Sequence, residues 1–190
     1  KTGQFITISH PKGLQRVQLI FMHLPDGNVS GKGFASTRGA SLEKLLNNNI
    51  NRLNTVDDQS SYTLSDLVGA LGELFEIYRP TTIRTQSTIP GERRVHDHSD
   101  HVSVGRVTQL AYAVFEKNIY QNEVTIPLEH YTGYPIALLP ENVFSNDLSK
   151  KDRAFTSYVE FDPAACSSHL ACWPQSNYNK YLPRQYPASQ

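Results

Sequence analysis

The sequence predicts an α/β domain with a mainly parallel sheet. Three observations carry this: β-branched runs alternate with helical periodicities, 190 residues suffice for one core, and no internal repeat divides them. Residues 5–9 and 16–24 are rich in Val, Ile and Phe and are separated by Pro11-Lys12-Gly13. The second run is almost continuously apolar, as a strand covered on both faces tends to be. Pro25-Asp26-Gly27-Asn28 combines a fixed φ with permissive ones and predicts a turn. Residues 31–39 carry three glycines and read as loop. Ser41 caps a helix expected to run through about Leu53, with Leu42, Leu45, Leu46 and Ile50 on one face.

Thr63 and Asp66 have the spacing of a capping box. Behind them Leu64, Leu67, Val68, Leu71, Leu74, Phe75 and Tyr78 recur at helical spacing, and Pro80 stops the run. That stripe is core packing. Residues 81–88 show the β-branched alternation of a strand, which leads through Pro90-Gly91 towards a dense polar cluster. A helix opens at Ser99 or Asp100, with Val104, Val107, Ala111, Val114 and Phe115 expected inward. Residues 124–128 predict a short strand and residues 150–158 a further helix. Residues 1–160 are expected to form the body of the domain. Residues 161–190, rich in Pro, Tyr, Asn and Ser, form a disulfide-tied tail of it.

Composition excludes two classes of partner. Lys plus Arg equals Asp plus Glu at 18 each, which gives no basic face for nucleic acid. No apolar stretch approaches the roughly 20 residues that span a bilayer. Cys166 and Cys172 predict a small disulfide loop and an oxidising compartment; their spacing suits no usual zinc knuckle. Asn28-Val29-Ser30 is the one N-glycosylation sequon and agrees with secretion. A first residue Lys1, with no signal pattern after it, predicts a processed chain from which something upstream was removed.

The cluster is His96-Asp97-His98-Ser99-Asp100-His101, three imidazoles and two carboxylates in six positions. Imidazole is the commonest metal ligand and titrates near neutrality, and an adjacent carboxylate can fix its tautomer. The cluster follows a strand and opens a helix, where open α/β sheets bind ligands. His98 and His101 are three apart, so both rings can reach one site from a first helical turn. Elsewhere His130, before Tyr131, either lines a sugar-binding rim or sits in a surface loop. His23 reads as a packed strand-end residue, and His10 and His169 as incidental. The glycines of 31–39 do not form a dinucleotide fingerprint.

His98-Ser99-Asp100-His101 is similar to the His-x-Asp-His motif of the PIG-L/LmbE-like family of zinc-dependent de-N-acetylases, which act on N-acetylglucosamine-type amino sugars. Leu24-Pro25-Asp26-Gly27 and Tyr131-Thr132-Gly133-Tyr134-Pro135 resemble segments of its secreted, fungal-type members. The resemblance covers most of the chain and implies a Rossmann-like layer with helices on both faces of the sheet. It implies His101 as a ligand of Zn2+ or another divalent metal. His98 would stabilise the oxyanion or protonate the leaving amine, with Asp100 orienting and charging it. His96 stands where some members place a Tyr, and His96, His130 and Tyr131 are the expected substrate-binding residues. The family's His-Pro-Asp-Asp motif is missing: His10-Pro11 is followed by Lys12-Gly13, and Asp57-Asp58 lacks an adjacent His. The remaining ligands and the base are therefore expected on an N-terminal fragment of the same protein, upstream of Lys1. The alternative is a non-catalytic carbohydrate-binding or structural remnant of the same fold.

Overall fold

Strands β1 (Thr7–Ser9) and β2 (Leu19–Phe21) form an antiparallel hairpin in the computed structural model, which describes residues 4–91, 95–119, 125–159, 161–162 and 177–188. Both are shorter than the apolar runs that predict them. The expected two-sided cover of residues 16–24 is not found, since β2 pairs with β1 alone and leaves Leu19 and Phe21 exposed. Ile6, Met22 and Leu24 are the residues of this region that reach the core.

Ser41 caps helix α1 (Leu42–Leu46) as predicted: its Oγ accepts the Lys44 N–H at 3.2 Å and donates to the Gly31 carbonyl at 2.6 Å. The helix stops well short of Leu53. Asn47, Asn48 and Asn49 follow it, and Asn48 takes a φ of 56°, a left-handed conformation that Asn tolerates at helix ends. Leu53 instead opens strand β3 (Leu53–Asn54), antiparallel to strand β4 (Ser61–Tyr62), and is fully buried there.

Helix α2 (Leu64–Tyr78) has the full capping box, Thr63 Oγ1 accepting the Asp66 N–H at 3.1 Å and Asp66 Oδ2 the Thr63 N–H at 3.0 Å. Arg79 ends it in the left-handed conformation, just before Pro80. Leu64, Leu67, Val68 and Leu71 of the apolar stripe pack as expected, whereas Tyr78 at its end is exposed. Leu67 and Ala70 join Leu42, Leu45, Leu53, Tyr62 and Val107 in one buried cluster. Each such leucine contributes roughly 1.5–3 kcal/mol relative to exposure.

Strand β5 (Ile83–Gln86), helix α3 (Ser99–Ile119) and strand β6 (Leu128–Tyr131) form a strand–helix–strand unit whose strands are parallel, Ile83 opposite Leu128 and Gln86 opposite Tyr131. The fold class is thus mixed α/β, with one parallel and two antiparallel pairs among the described residues. Strand β6 starts where the predicted 124–128 strand ends, because its register is set by β5: the Ile83 N–H donates to the Pro127 carbonyl at 2.9 Å. On α3, Val107, Ala111 and Phe115 face inward as predicted, and Phe115 meets Phe75 of α2 edge-on at 5.5 Å between ring centroids. Val104 and Val114 are exposed instead. The 25–31 turn fastens onto the first turn of α3, Gly105 packs against the end of β5, and Val102 and Ser103 are buried beside it.

Helix α4 (Ser145–Val159) contains the predicted 150–158 helix. The end of the tail returns to the sheet: Tyr131 bridges Pro187, and the Ala188 N–H donates to the His130 carbonyl at 2.8 Å. Cys166 and Cys172 lie outside the described residues. No helix among the described residues is long and apolar enough to cross a membrane.

Candidate functional site

Two short segments, 70 residues apart in sequence, build the site. In the predicted turn, Asp26 Oδ1 accepts the Asn28 N–H at 2.7 Å, and Asn28 takes a left-handed φ of 62°. The start of α3 fastens onto this turn. Ser99 Oγ donates to the Asn28 carbonyl at 2.7 Å, its N–H to the Val29 carbonyl at 3.2 Å, and Asp100 Oδ2 accepts the Gly27 N–H at 2.8 Å. A Cβ on Gly27 would come within 2.5 Å of Asp100 Oδ1, so the carboxylate needs a glycine there.

This clamp brings Asp26 to His98, with Asp26 Oδ1 3.8 Å from His98 Nε2. His98 Nδ1 accepts the backbone N–H of Asp100 at 3.2 Å, which assigns the proton of the neutral ring to Nε2. Asp100 Oδ2 lies 3.7 Å from that same Nδ1, without a direct hydrogen bond. Burial raises the Asp100 carboxyl above its ordinary value, partly offset by the Gly27 N–H and by His98. Its Oδ1 is buried without a partner. Asp26, His98 and Asp100 each offer a donor atom, and these lie within 4.8 Å of one another. An unsatisfied carboxylate oxygen beside an imidazole and a second carboxylate suits a divalent cation.

His101 has a different setting. Its Nδ1 stands 2.7 Å from Oδ1 of Asp97, which is itself buried. That oxygen also accepts the N–H of His98 at 2.9 Å and of Tyr134 at 3.1 Å. Burial raises the Asp97 carboxyl, but the hydrogen bond from His101, the two backbone N–H groups and the imidazole's charge outweigh it, and the net shift is downward. An ionised Asp97 requires the His101 proton on Nδ1, which leaves Nε2 with a free lone pair. Carboxylates hold metal-ligating histidines in this way. The His98 and His101 ring centroids are 5.5 Å apart, and Tyr134 meets His101 edge-on at 5.0 Å.

The predicted residues His98, Asp100 and His101 are brought together by these contacts. His96 is exposed and lines a cavity of about 380 Å³ together with Asp97 and Arg106. His130 is buried in β6, its Nδ1 donating to the Gln86 carbonyl at 2.9 Å, so it is neither rim nor surface loop. The Tyr131 hydroxyl bonds to Glu129 at 3.0 Å. His23 packs at the end of β2, its Nε2 3.1 Å from Thr7 Oγ1. Asn28 belongs to the site turn, its Oδ1 accepting the Val29 N–H at 2.6 Å.

Sequence reasoning placed Asp97 in the cluster, and Asp26 and Tyr134 in the resembling segments, without giving any of the three a role. Asp97 and His101 stand four apart, the i, i+4 spacing that could have marked them as partners. Nothing local ties Asp26 or Tyr134 to the cluster. Comparison with family models, curated proteins and solved structures gave no match.

Proposed function

We propose that the protein is a metal-dependent amide hydrolase that removes the acetyl group of an N-acetylglucosamine-type sugar. The observation that carries this reading is the pair of oppositely prepared imidazoles: His101 presents a lone pair at Nε2, and His98 presents a proton at Nε2. Amide hydrolysis uses both kinds of group, an electron-pair donor that holds a Lewis acid and a hydrogen-bond donor for the oxyanion that forms at the carbonyl. The Rossmann-like arrangement and secretion belong to the same proposal, supported by the parallel β5–α3–β6 unit, the cysteine pair and the sequon.

His101 would hold the cation, zinc being the ion that suits a histidine and carboxylate set, with further ligands and the base supplied by a segment upstream of Lys1. When bound, zinc supplies Lewis acidity and lowers the pKa of a bound water to about 7. The chain's own groups do the rest. Asp97 keeps His101 in one tautomer. His98 donates a hydrogen bond from its Nε2–H to the oxygen that becomes negative at the scissile carbonyl, and the Asp100 backbone N–H, 3.2 Å from Nδ1, holds the ring in that tautomer. Asp26, largely exposed beside His98, faces the space where substrate hydroxyls would lie.

Elemental analysis of protein from its natural source, paired with an assay of acetate release from N-acetylglucosamine and N-acetylated chitooligosaccharides, tests this. Stoichiometric zinc with acetate released supports the proposal; no metal and no acetate overturns it.

A further inference from the structure

Beyond His101 the aromatic rings continue. Tyr134 lies 5.3 Å from Tyr181 between ring centroids, Tyr181 lies 6.3 Å from Tyr178, and Tyr178 lies 4.7 Å from Phe155 of α4. The row therefore leads from the histidine pair towards α4, using residues from the 132–135 turn and from the tail. A small apolar core would explain such packing if the phenols were satisfied by protein.

They are not. Among the described residues the hydroxyls of Tyr134, Tyr178 and Tyr181 have no hydrogen-bond partner, and none is sealed from solvent. Two tyrosines elsewhere differ: Tyr112 donates to the Ile126 carbonyl at 2.6 Å and Tyr186 to the Pro140 carbonyl at 2.8 Å. The three phenols also share one neighbourhood. Half-buried rings with free hydroxyls, beginning at 5.0 Å from an active-site imidazole, offer apolar faces for a pyranose and hydrogen bonds for its hydroxyls.

We propose that Tyr134, Tyr178 and Tyr181 form a sugar-binding subsite next to the histidine pair, and that the substrate is accordingly an oligosaccharide. Its acetamido ring sits at His98 and His101 while a neighbouring ring lies on the tyrosines. This rests on the hydrolase reading for the identity of the reacting ring, whereas the subsite itself needs only binding.

Calorimetric titration of the natural protein with N-acetylglucosamine and with N,N′,N″,N‴-tetraacetylchitotetraose separates the two. The tetrasaccharide is expected to bind about 10-fold or more tightly than the monosaccharide, the scale of one aromatic stacking contact with its hydrogen bonds. Tyr181→Ala and Tyr178→Ala should each erase most of that difference. Equal binding of the two sugars by the wild-type protein overturns the subsite, as does a preference that survives both substitutions. If an alanine variant fails to fold, Tyr181→Phe with saturation-transfer NMR decides: sugar protons that receive no transfer from the tyrosine rings overturn the proposal. Chain-length preference without acetate release would sink the hydrolase reading and leave the subsite standing; acetate release with no preference would do the reverse.

Discussion

Asp97 Oδ1 lies 2.7 Å from His101 Nδ1, and it holds that imidazole from a position of almost complete burial. The contact fixes both the rotamer and the tautomer of His101. Asp97→Asn presents an amide that can no longer accept the same charge-assisted bond with equal strength. Zinc affinity, measured by competition with a chromogenic chelator, is expected to fall about 10- to 100-fold. Unaltered affinity would show that Asp97 serves only to order the chain.

The same carboxylate carries a pH signature. Its folded-state value is lowered, so it contributes stability that is present above the unfolded value and lost as pH falls through the folded one. Asp100 has the opposite sign: its raised value means that its ionisation costs stability, a cost absent at low pH and complete once pH exceeds the folded value. Urea midpoints of the wild-type and Asp97→Asn proteins should therefore converge on acidification below the ordinary carboxylate range. A constant gap down to the lowest pH at which the protein folds would contradict the assignment.

Gly133 makes room for Asp97. A Cβ there would stand 2.3 Å from Oδ2 and 2.4 Å from Oδ1 of the carboxylate, closer than any real contact. Asp97 cannot yield without giving up three hydrogen bonds from His98, His101 and Tyr134. Gly133→Ala is expected to cost about 1–3 kcal/mol in urea unfolding, the range for overpacking a tight interior. It should also weaken metal binding without altering any ligand. A variant with wild-type stability and wild-type zinc affinity would show that the turn relaxes freely.

The parts that were legible in the sequence are those whose cause is local. The Thr63–Asp66 box and the stripe from Leu64 to Leu71 depend on neighbours three and four residues away, and both stand in the structure as read, while Tyr78 at the helix end is exposed. The cluster at 96–101 was visible because six adjacent residues carry its chemistry. The end of α1 was misread because leucine periodicity runs past Leu46 while the three asparagines that stop it are weak signals singly. Asp26 and Tyr134 were out of reach for another reason. Their roles come from tertiary clamps, the Gly27 and Ser99 bonds in one case and the Asp97–Tyr134 bond in the other.

The two histidines should fail in different ways. Loss of His101 removes an Nε2 lone pair held by a buried carboxylate, so His101→Ala is expected to lose zinc and activity together. Loss of His98 removes an Nε2–H hydrogen-bond donor to the transition state, so His98→Ala should keep the metal and lose turnover by about 10²-fold or more. Asp100→Asn should act as a milder version of the second, because the backbone N–H of residue 100 still orients Nδ1 while the stabilising charge is gone. The site also contains a competing arrangement, since Asp26, His98 and Asp100 bring their own donors within 4.8 Å of one another. Metal content separates the two. Zinc kept in His101→Ala and lost in both His98→Ala and Asp26→Asn would move the ion to that triad and make His101 the proton-handling residue.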